Sequence, residues 1–274
     1  MNGLWSPDLP IVANFGWPWS FYRKSTGIHP NMIHKTKGIV LRTVKYGETS
    51  LVVTIFTEMF GLQTYIVNGV RSSKASGAKA NYFQPTAILD LVVYHNTSKS
   101  MQRIKEFSWS FLYNKVLHNV VMNSVASYMV ELLQKCLKQP EPNSDLFNFC
   151  EEVLMSLDES EKTITANLPL FFSVQLPHFF GFRMQDNYSS KNILLDLAEG
   201  VFTDHQPTHP HFMDGEYARI TSQLLKVMQP HELEIFKLNQ ETRRVLLLKY
   251  LEYYALHIQD FGQMKTLMVL HEVL

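Results

Sequence analysis

Residues 35–75 read KTKGIVLRTVKYGETSLVVTIFTEMFGLQTYIVNGVRSSKA and contain three short runs rich in Val, Ile, Thr, Tyr and Phe. Gly47 and Gly61 lie between the runs, in Tyr-Gly-Glu and Phe-Gly sequences that are typical of turns. Two further runs of the same kind follow, PTAILDLVVYH at 85–95 and MQRIKEFSWS at 101–110. Five short strands within about 75 residues predict a small closed or partly open β-barrel rather than a sandwich.

The spacing of apolar residues changes to a helical period after Phe111 and keeps that period afterwards. The longest such run covers residues 116–137 and ends before a proline. Shorter helical patterns follow at 144–157, 164–180, 215–228, 231–238, 241–258 and 264–273. Residues 181–213 are rich in Gly, Asn, Ser and Pro, so we expect a loop or a small irregular insertion there. The predicted fold class is therefore α+β, with a five-stranded barrel at 32–110 and an all-α helical domain at 111–274.

The first 31 residues have neither helical nor alternating periodicity, and they lack the charged start and the cleavage site of a signal peptide. Two interpretations remain open. Either the true start is Met32 and an upstream start codon has been assigned, or the segment is an unstructured extension. In both cases we expect a chain that starts at Met32 to melt and to bind its ligands like the full chain.

The formal net charge of zero hides an uneven distribution of charge. Residues 32–105 carry ten Lys and Arg against three Asp and Glu, or +7, whereas residues 141–274 carry ten against nineteen, or −9. This asymmetry indicates an anion-binding domain joined to a domain with another task. Apolar stretches are too short to cross a bilayer, and Cys136 and Cys150 lack metal-ligand spacing. We therefore expect a cytoplasmic protein in which both cysteines pack as small apolar groups.

Cations in the first half of the chain are the main chemical signal. We expect them to bind a phosphate backbone, because Lys and Arg can replace its condensed counterions. The candidate binding residues are Lys35, Lys37, Arg42, Lys45, Arg71, Lys74, Lys79, Lys99, Arg103 and Lys105. Tyr46, Tyr82 and Phe83 are candidates for stacking on unpaired bases. The alternative is that these are ordinary solvated positions, and without the strand register the sequence leaves open which cations share a face.

Motifs for catalysis are missing from the sequence, which has no Gly-rich phosphate loop, no Gly-x-Ser-x-Gly and no His-Glu-x-x-His. Carboxylate pairs such as Glu151 and Glu152 lie on a helix whose pattern is that of a solvated surface. One cluster contains residue types that bind divalent metals, namely Asp204, His205, His209 and His211. It supports the hypothesis of a metal-dependent hydrolase, with an exposed polar loop as the alternative. We expect the exposed loop, and therefore no catalytic residues, no cofactor and no stoichiometric zinc.

The block at 35–75 resembles the opening of bacterial RecO-type recombination mediators, including the Gly-Glu of the first turn and the Phe-Gly before the third strand. LDLAEGVF at 195–202 and RRVLLLKYLEYYALHIQDFGQMKTLMVL at 243–270 resemble later parts of that family. The resemblance covers residues 32–274 and implies an OB-fold barrel in a protein that is not an enzyme. It also implies binding of single- and double-stranded DNA, annealing of complementary strands, contacts with RecR and single-stranded DNA-binding protein, and help in loading RecA at gaps.

Many members of that family carry a four-cysteine zinc site in the insertion that corresponds to residues 181–213. This sequence has no cysteine there. The resemblance therefore does not extend to zinc, and we expect apolar packing of Phe179, Phe180, Phe182 and Leu195 to Leu197 to hold the region. An RNA-binding OB-fold adaptor is the remaining alternative for the function. The resemblance favours DNA as the ligand and therefore implies association with the nucleoid.

Overall fold

Residues 33–70 and 79–274 are described by the structure, which is a computed structural model. Residues 1–32 and 71–78 lie outside the described residues. The expectation of an unstructured or wrongly assigned segment at 1–31 therefore concerns residues outside this range, and it stays a prediction.

Five strands among the described residues close into a barrel in the order β1-β2-β3-β5-β4. They are β1 (Ile33–Tyr46), β2 (Ser50–Thr57), β3 (Gly61–Val67), β4 (Ile88–Tyr94) and β5 (Gln102–Phe111). β1 pairs with β4 through its first half and with β2 through its second half, and a bulge lies between Val40 and Arg42. A parallel pairing of β3 with β5 completes the barrel. The five-stranded OB-fold barrel predicted from the sequence is confirmed.

Alternate side chains of the strands fill the inside of this barrel. The buried strand residues are Val40, Leu51, Val53, Ile55, Tyr65, Val67, Leu89, Leu91 and Val93. β-Branched and aromatic residues are common among them, since such side chains pack well on a pleated surface. Phe83, in a 3₁₀ turn (Asn81–Phe83) ahead of β4, joins this core, and its ring contacts the edge of Phe107 at 4.8 Å between centroids. Residues at the other strand positions therefore lie on the outer surface.

Helices occupy most of the described chain after the barrel. They are α1 (Val120–Cys136), α2 (Ser144–Glu159), α3 (Lys162–Gln175), α4 (Gly215–Leu225), α5 (Gln240–His257) and α6 (Thr266–Val273). Asn119, Asn143 and Asn239 precede α1, α2 and α5, and each side-chain oxygen accepts a hydrogen bond from a first-turn N–H. The helical region predicted after the barrel is confirmed, whereas its bounds as a separate domain stay a prediction. Among the described helices, none is long and apolar enough to cross a membrane.

Cys136 and Cys150 are both buried and are not joined in a disulfide. Burial raises the pKa of both thiols, so they stay protonated at neutral pH. The prediction that they pack as small apolar groups is confirmed.

Residues 181–213 contain a small antiparallel sheet, in a region where the sequence predicts a loop or an irregular insertion. Its strands are β6 (Leu194–Asp196), β7 (Val201–Thr203) and β8 (Phe212–Met213), in the order β7-β6-β8. Leu195 and Leu197 are fully buried, and the aromatic residues Phe179, Phe180 and Phe182 pack against the same core. Strands of two or three residues are too short for alternation to reveal them in a sequence.

The barrel and the helices share one apolar core. Ile39, Leu41, Phe56 and Ile88 of the barrel belong to the same buried cluster as the helical residues. The Phe56 ring lies 5.7 Å from the ring of Phe147 on α2, measured between centroids. This shared core holds the barrel in one orientation against the helices, so one part of the barrel surface is covered and the rest is open to ligands.

Candidate nucleic-acid interface

A row of side chains can be followed around the outside of the barrel from the strand register. The row, with each residue paired to the next, consists of Val44, Val52, Ile66, Arg103, Tyr94 and Ile33. Residues paired across neighbouring strands point to the same side of a sheet. Val53, Tyr65 and Val93 come next to this row along their strands and are fully buried. The row, here called the outer row, therefore faces outward.

Arg42 and Arg103 lie on two sides of an open surface that includes the first four residues of the outer row. Arg42 is paired with Thr54 of β2, which in turn pairs with Thr64 of β3, whereas Arg103 lies at the start of β5. Both arginines are exposed. The sequences of β2 and β3 contain no Asp, Glu, Lys or Arg. The surface is called the β2–β3 face below and consists of Arg42, Val44, Tyr46, Val52, Thr54, Thr64, Ile66 and Arg103.

Three more of the predicted cations lie at the borders of the β2–β3 face. Lys45 is exposed near the end of β1, and Lys99 is exposed in the loop between β4 and β5. Lys105 is exposed at a bulge of β5, and its Nζ lies 3.3 Å from Oε1 of Glu106. An exposed ion pair of this kind contributes at most about 1 kcal/mol, so Lys105 is available to a phosphate.

Lys35 and Lys37 have different surroundings, in a groove between β1, β4 and β5. The same groove is lined by three acidic residues, Glu58, Asp90 and Glu106. Lys37 Nζ also lies 2.8 and 3.1 Å from the two carboxylate oxygens of Glu151 on α2, whose side chain is 13% exposed. A phosphate bound here would meet negative charge and would compete with this ion pair. The structure therefore separates Lys35 and Lys37 from the cations of the β2–β3 face.

The polar loop between β3 and β4 supplies the remaining predicted cations. Arg71 and Lys74 lie outside the described residues, whereas Lys79 is exposed just ahead of the 3₁₀ turn. β3 ends at Val67, which pairs with Leu51 at the start of β2. Leu51 in turn pairs with Lys45 near the end of β1. The loop therefore begins at the edge of the β2–β3 face.

Of the three aromatic residues predicted to stack on bases, only Tyr46 is open to solvent, with an exposed fraction of 56%. Phe83 is fully buried. The Tyr82 ring stacks on Trp109 at 4.6 Å between centroids, with an angle of 20° between the rings. Phe83 and Tyr82 therefore belong to the packing of the barrel.

Tyr94 is an exposed aromatic residue that the sequence interpretation missed. Its side chain is 43% exposed, and it is paired with Arg103 in the outer row. The signal was present in the alternation of β4, because Asp90 faces water and Tyr94 lies an even number of positions further along the strand.

The histidine loop at residues 204–211 brings its polar side chains together only in pairs, and the rings of His209 and His211 lie 5.8 Å apart between centroids. Each of its histidines is paired with a different carboxylate, His205 with Asp204, His209 with Asp196, and His211 with Glu252. These nitrogen–oxygen distances range from 2.6 to 3.3 Å. Within the part of the chain that the structure describes, no three His, Cys, Asp or Glu side chains are placed to hold a metal ion. The geometry gives the hypothesis of a metal-dependent hydrolase no support.

We predict that the purified protein contains no stoichiometric zinc and that a chelator leaves its melting temperature unchanged, because these histidines already bind separate carboxylates. Elemental analysis and thermal melts with and without EDTA check both points. Finding about one zinc per chain, lost together with stability when His205, His209 and His211 are replaced by alanine, would contradict the prediction.

Family models and curated relatives both match this chain. It matches the models described as "Recombination protein O N terminal" over residues 32–113 and "Recombination protein O C terminal" over residues 117–266. The DNA repair protein RecO of Azobacteroides pseudotrichonymphae is 30% identical over 242 residues, which cover 88% of this chain and 99% of the relative. Those of Bacteroides fragilis and Phocaeicola vulgatus are 30% and 28% identical, with the same coverage. The chain belongs to the RecO family.

The two matches follow the architecture of this RecO-family chain. The N-terminal match contains all five barrel strands, and the C-terminal match contains α1 to α5. The resemblance inferred from the opening block is confirmed, and the chain has a role in DNA repair and recombination. The curated relatives are described as DNA repair proteins. Family membership does not say which residues bind DNA, so that assignment depends on the barrel geometry.

Proposed function

We propose that this RecO-family chain binds single- and double-stranded DNA through the β2–β3 face and anneals complementary strands during the repair of gaps. The observation that carries the proposal is the position of Arg42 and Arg103, which are exposed on two sides of strands whose sequences contain no charged residue. A polyanion lying across β2 and β3 meets a guanidinium group on each side.

Binding energy alone would perform this function. Lys and Arg side chains that contact phosphates release condensed counterions, and this release makes the affinity strongly dependent on salt. Once the phosphates of one strand are neutralised, a complementary strand meets less repulsion, so annealing is faster although no bond is made or broken. Phosphate contacts carry no base information, so the preference for particular sequences is weak.

The candidate cations are proposed to contribute unequally to DNA binding. Those on the face or at its borders contribute most, namely Arg42, Lys45, Lys99, Arg103 and Lys105. Arg71 and Lys74 lie outside the described residues and Lys79 is exposed ahead of the 3₁₀ turn, and all three are proposed to contact DNA as well. Lys35 and Lys37 contribute less, because carboxylates line their groove.

RecR and single-stranded DNA-binding protein are the proposed protein partners, and RecA is loaded with their help at the nucleoid. The helical half supports this division of tasks, since residues 141–274 carry a net charge of −9 and would repel the phosphate backbone. The helical domain is thereby left for contacts with proteins.

Reversing both Arg42 and Arg103 to glutamate in the full chain is expected to weaken binding to single-stranded DNA about tenfold or more. The slope of log affinity against log salt should become shallower by about 1.4, which is 0.7 for each lost phosphate contact. Anisotropy titrations of labelled oligonucleotides at several salt concentrations measure both quantities.

The matched control for this double reversal changes Lys237 and Arg244 to glutamate, because both are exposed cations of the helical domain. It changes the net charge by the same amount and should leave affinity and slope as they are. If the folded Arg42 and Arg103 variant binds like the parent, the β2–β3 face is not the DNA site.

Annealing of two complementary oligonucleotides, with and without single-stranded DNA-binding protein, tests the second part of the proposal. We expect the parent and the Lys237 and Arg244 control to accelerate annealing and the Arg42 and Arg103 variant to lose the acceleration. RNA of the same sequence is the competitor that tests the alternative function. Clearly tighter binding of RNA than of DNA would favour an RNA-binding adaptor.

A further inference from the structure

We propose that Tyr46 and Tyr94 are stacking platforms for unpaired bases and that they make the chain prefer single strands over duplexes. This inference deepens the DNA-binding proposal and rests on it. The two rings lie at the two loops that border the β2–β3 face. Tyr46 is the last residue of β1 before the turn to β2, and Tyr94 is the last residue of β4 before the loop to β5.

The exposure of both rings is the first observation. Tyr46 is 56% exposed and Tyr94 is 43% exposed, whereas Tyr65 of β3 is fully buried inside the barrel. A buried aromatic ring is among the largest contributions to a core. These two rings give less buried area to the fold than Tyr65 does, and their exposed faces are accessible to a ligand.

Cations next to each ring are the second observation. Tyr94 is paired with Arg103 across β4 and β5, which places their Cβ atoms about 5 Å apart. Tyr46 lies on the same side of β1 as Arg42, four residues away, whereas the neighbouring Lys45 points to the opposite side of the strand. A base stacked on either ring therefore has a phosphate within reach of a positive charge, the combination found in single-strand binding grooves.

Apolar side chains between the two rings are the third observation. Val44, Val52 and Ile66 of the outer row connect Tyr46 with Tyr94 by way of Arg103. The path crosses four inter-strand spacings of about 4.8 Å and one step of two residues of about 3.3 Å each, which together give about 26 Å. A stacked strand with about 3.4 Å per nucleotide covers it with about eight nucleotides. This length falls within the site size of about 4–16 nucleotides known for one OB-fold.

Duplex DNA cannot use these rings in the same way, because base pairing and stacking cover the faces of its bases. Its phosphates still reach Arg42, Arg103 and the bordering lysines. The two kinds of residue thus have separable effects, since the cations act on both forms of DNA and the tyrosines act on single strands alone.

The test compares Tyr46→Ala, Tyr94→Ala and the double variant of the full chain in titrations with a labelled single-stranded oligonucleotide and with its duplex. Each single variant should weaken single-strand binding by about fivefold or more, and duplex binding should change less than about twofold. Tyr46→Phe and Tyr94→Phe keep the ring and should bind like the parent. Ile235→Ala, which shortens a side chain that is 77% exposed on the helical domain, is the matched control.

Two results would overturn the inference. Unchanged single-strand affinity in the folded double variant would show that the exposed rings serve another ligand. An equal loss for single strands and duplexes would show that the tyrosines do not act through unpaired bases. Failure of the DNA-binding proposal gives a different result, because the parent chain itself would then show no salt-dependent binding or the Arg42 and Arg103 reversal would have no effect.

Discussion

A chain in which Gly61 is replaced by alanine is expected to melt about 6–12 °C lower than the parent, which corresponds to a loss of about 3 kcal/mol. Gly61 begins β3 with φ at +63°, a conformation that costs other L-residues about 1–2 kcal/mol. A Cβ atom at this position would also lie 2.1 Å from the backbone oxygen of Glu141, in the loop between α1 and α2. The backbone oxygen of Glu141 cannot move away by a rotamer change, as a side-chain atom can. The clash would therefore push the barrel away from the helical domain.

Gly47→Ala is the matched control for this prediction. Gly47 also has a positive φ, +57°, but a Cβ atom there meets no other atom within 4 Å. Replacing Gly47 by alanine should therefore lower the free energy of unfolding only by the cost of a positive φ for alanine, about 1–2 kcal/mol. Thermal melts followed by circular dichroism measure both variants. If Gly61→Ala and Gly47→Ala lower the melting temperature equally, the close approach of Glu141 does not affect stability.

Replacing Asp158 with asparagine is expected to destabilise the protein by about 3 kcal/mol at neutral pH. The Asp158 side chain is 1% exposed, and its carboxylate accepts three hydrogen bonds. The donors are the backbone N–H groups of Asn114, Lys115 and Val116, each at 2.8 Å, in the linker between β5 and α1. Asparagine has nearly the same shape, but its NH₂ group would face one of these donors. A buried backbone N–H would lose its acceptor, and the hydrogen bonds that join the linker to α2 would be weakened.

The effect of Asp158→Asn should also depend on pH. Burial by itself would raise the pKa of the Asp158 carboxyl, but the three N–H donors outweigh burial and hold the pKa below its usual value. A carboxyl with a lower pKa in the folded state stabilises the protein above its unfolded pKa of about 3.9. This stabilisation is lost as the pH falls through the folded pKa. The melting temperatures of parent and variant should therefore differ most near neutral pH and converge below about pH 4.

Glu159→Gln provides the control for Asp158→Asn, because it removes the same charge from the neighbouring residue, which is exposed. It should change the stability by less than about 0.5 kcal/mol. Thermal melts of the three proteins between neutral and acidic pH make the comparison. A loss from Asp158→Asn that is no larger than the loss from Glu159→Gln, or that is independent of pH, would rule out the proposed role of the carboxylate.

Local patterns were sufficient to predict the class of most elements. Alternation in runs such as SLVVTIFT is visible within one strand, and the apolar spacing after Phe111 is visible within one helix. The sheet at β6 to β8 was not predicted, because strands of two or three residues carry too few positions to show a period. Its short strands form because Leu195 and Leu197 can enter a core that other segments supply.

The sequence could identify the candidate cations but could not sort them. Lys37 and Arg42 lie on the same strand and look alike in the sequence. The bulge between Val40 and Arg42 and the closure of the barrel place Arg42 beside β2, whereas Lys37 faces Glu151, which is 114 residues away in the chain. Long-range contacts of this kind leave no periodic signal near either residue.

By itself, the sequence determined the succession of a basic barrel and an acidic helical domain and the family to which the chain belongs, because these follow from composition, short-range periodicity and local motifs. Only the tertiary structure decided which side chains meet. Strand register brought Tyr94 next to Arg103, and folding brought Glu141 against Gly61 and Asp158 under the linker. The physical reason is that burial, hydrogen bonding and charge pairing depend on distances in space, and chain closure sets those distances between residues that are far apart in sequence.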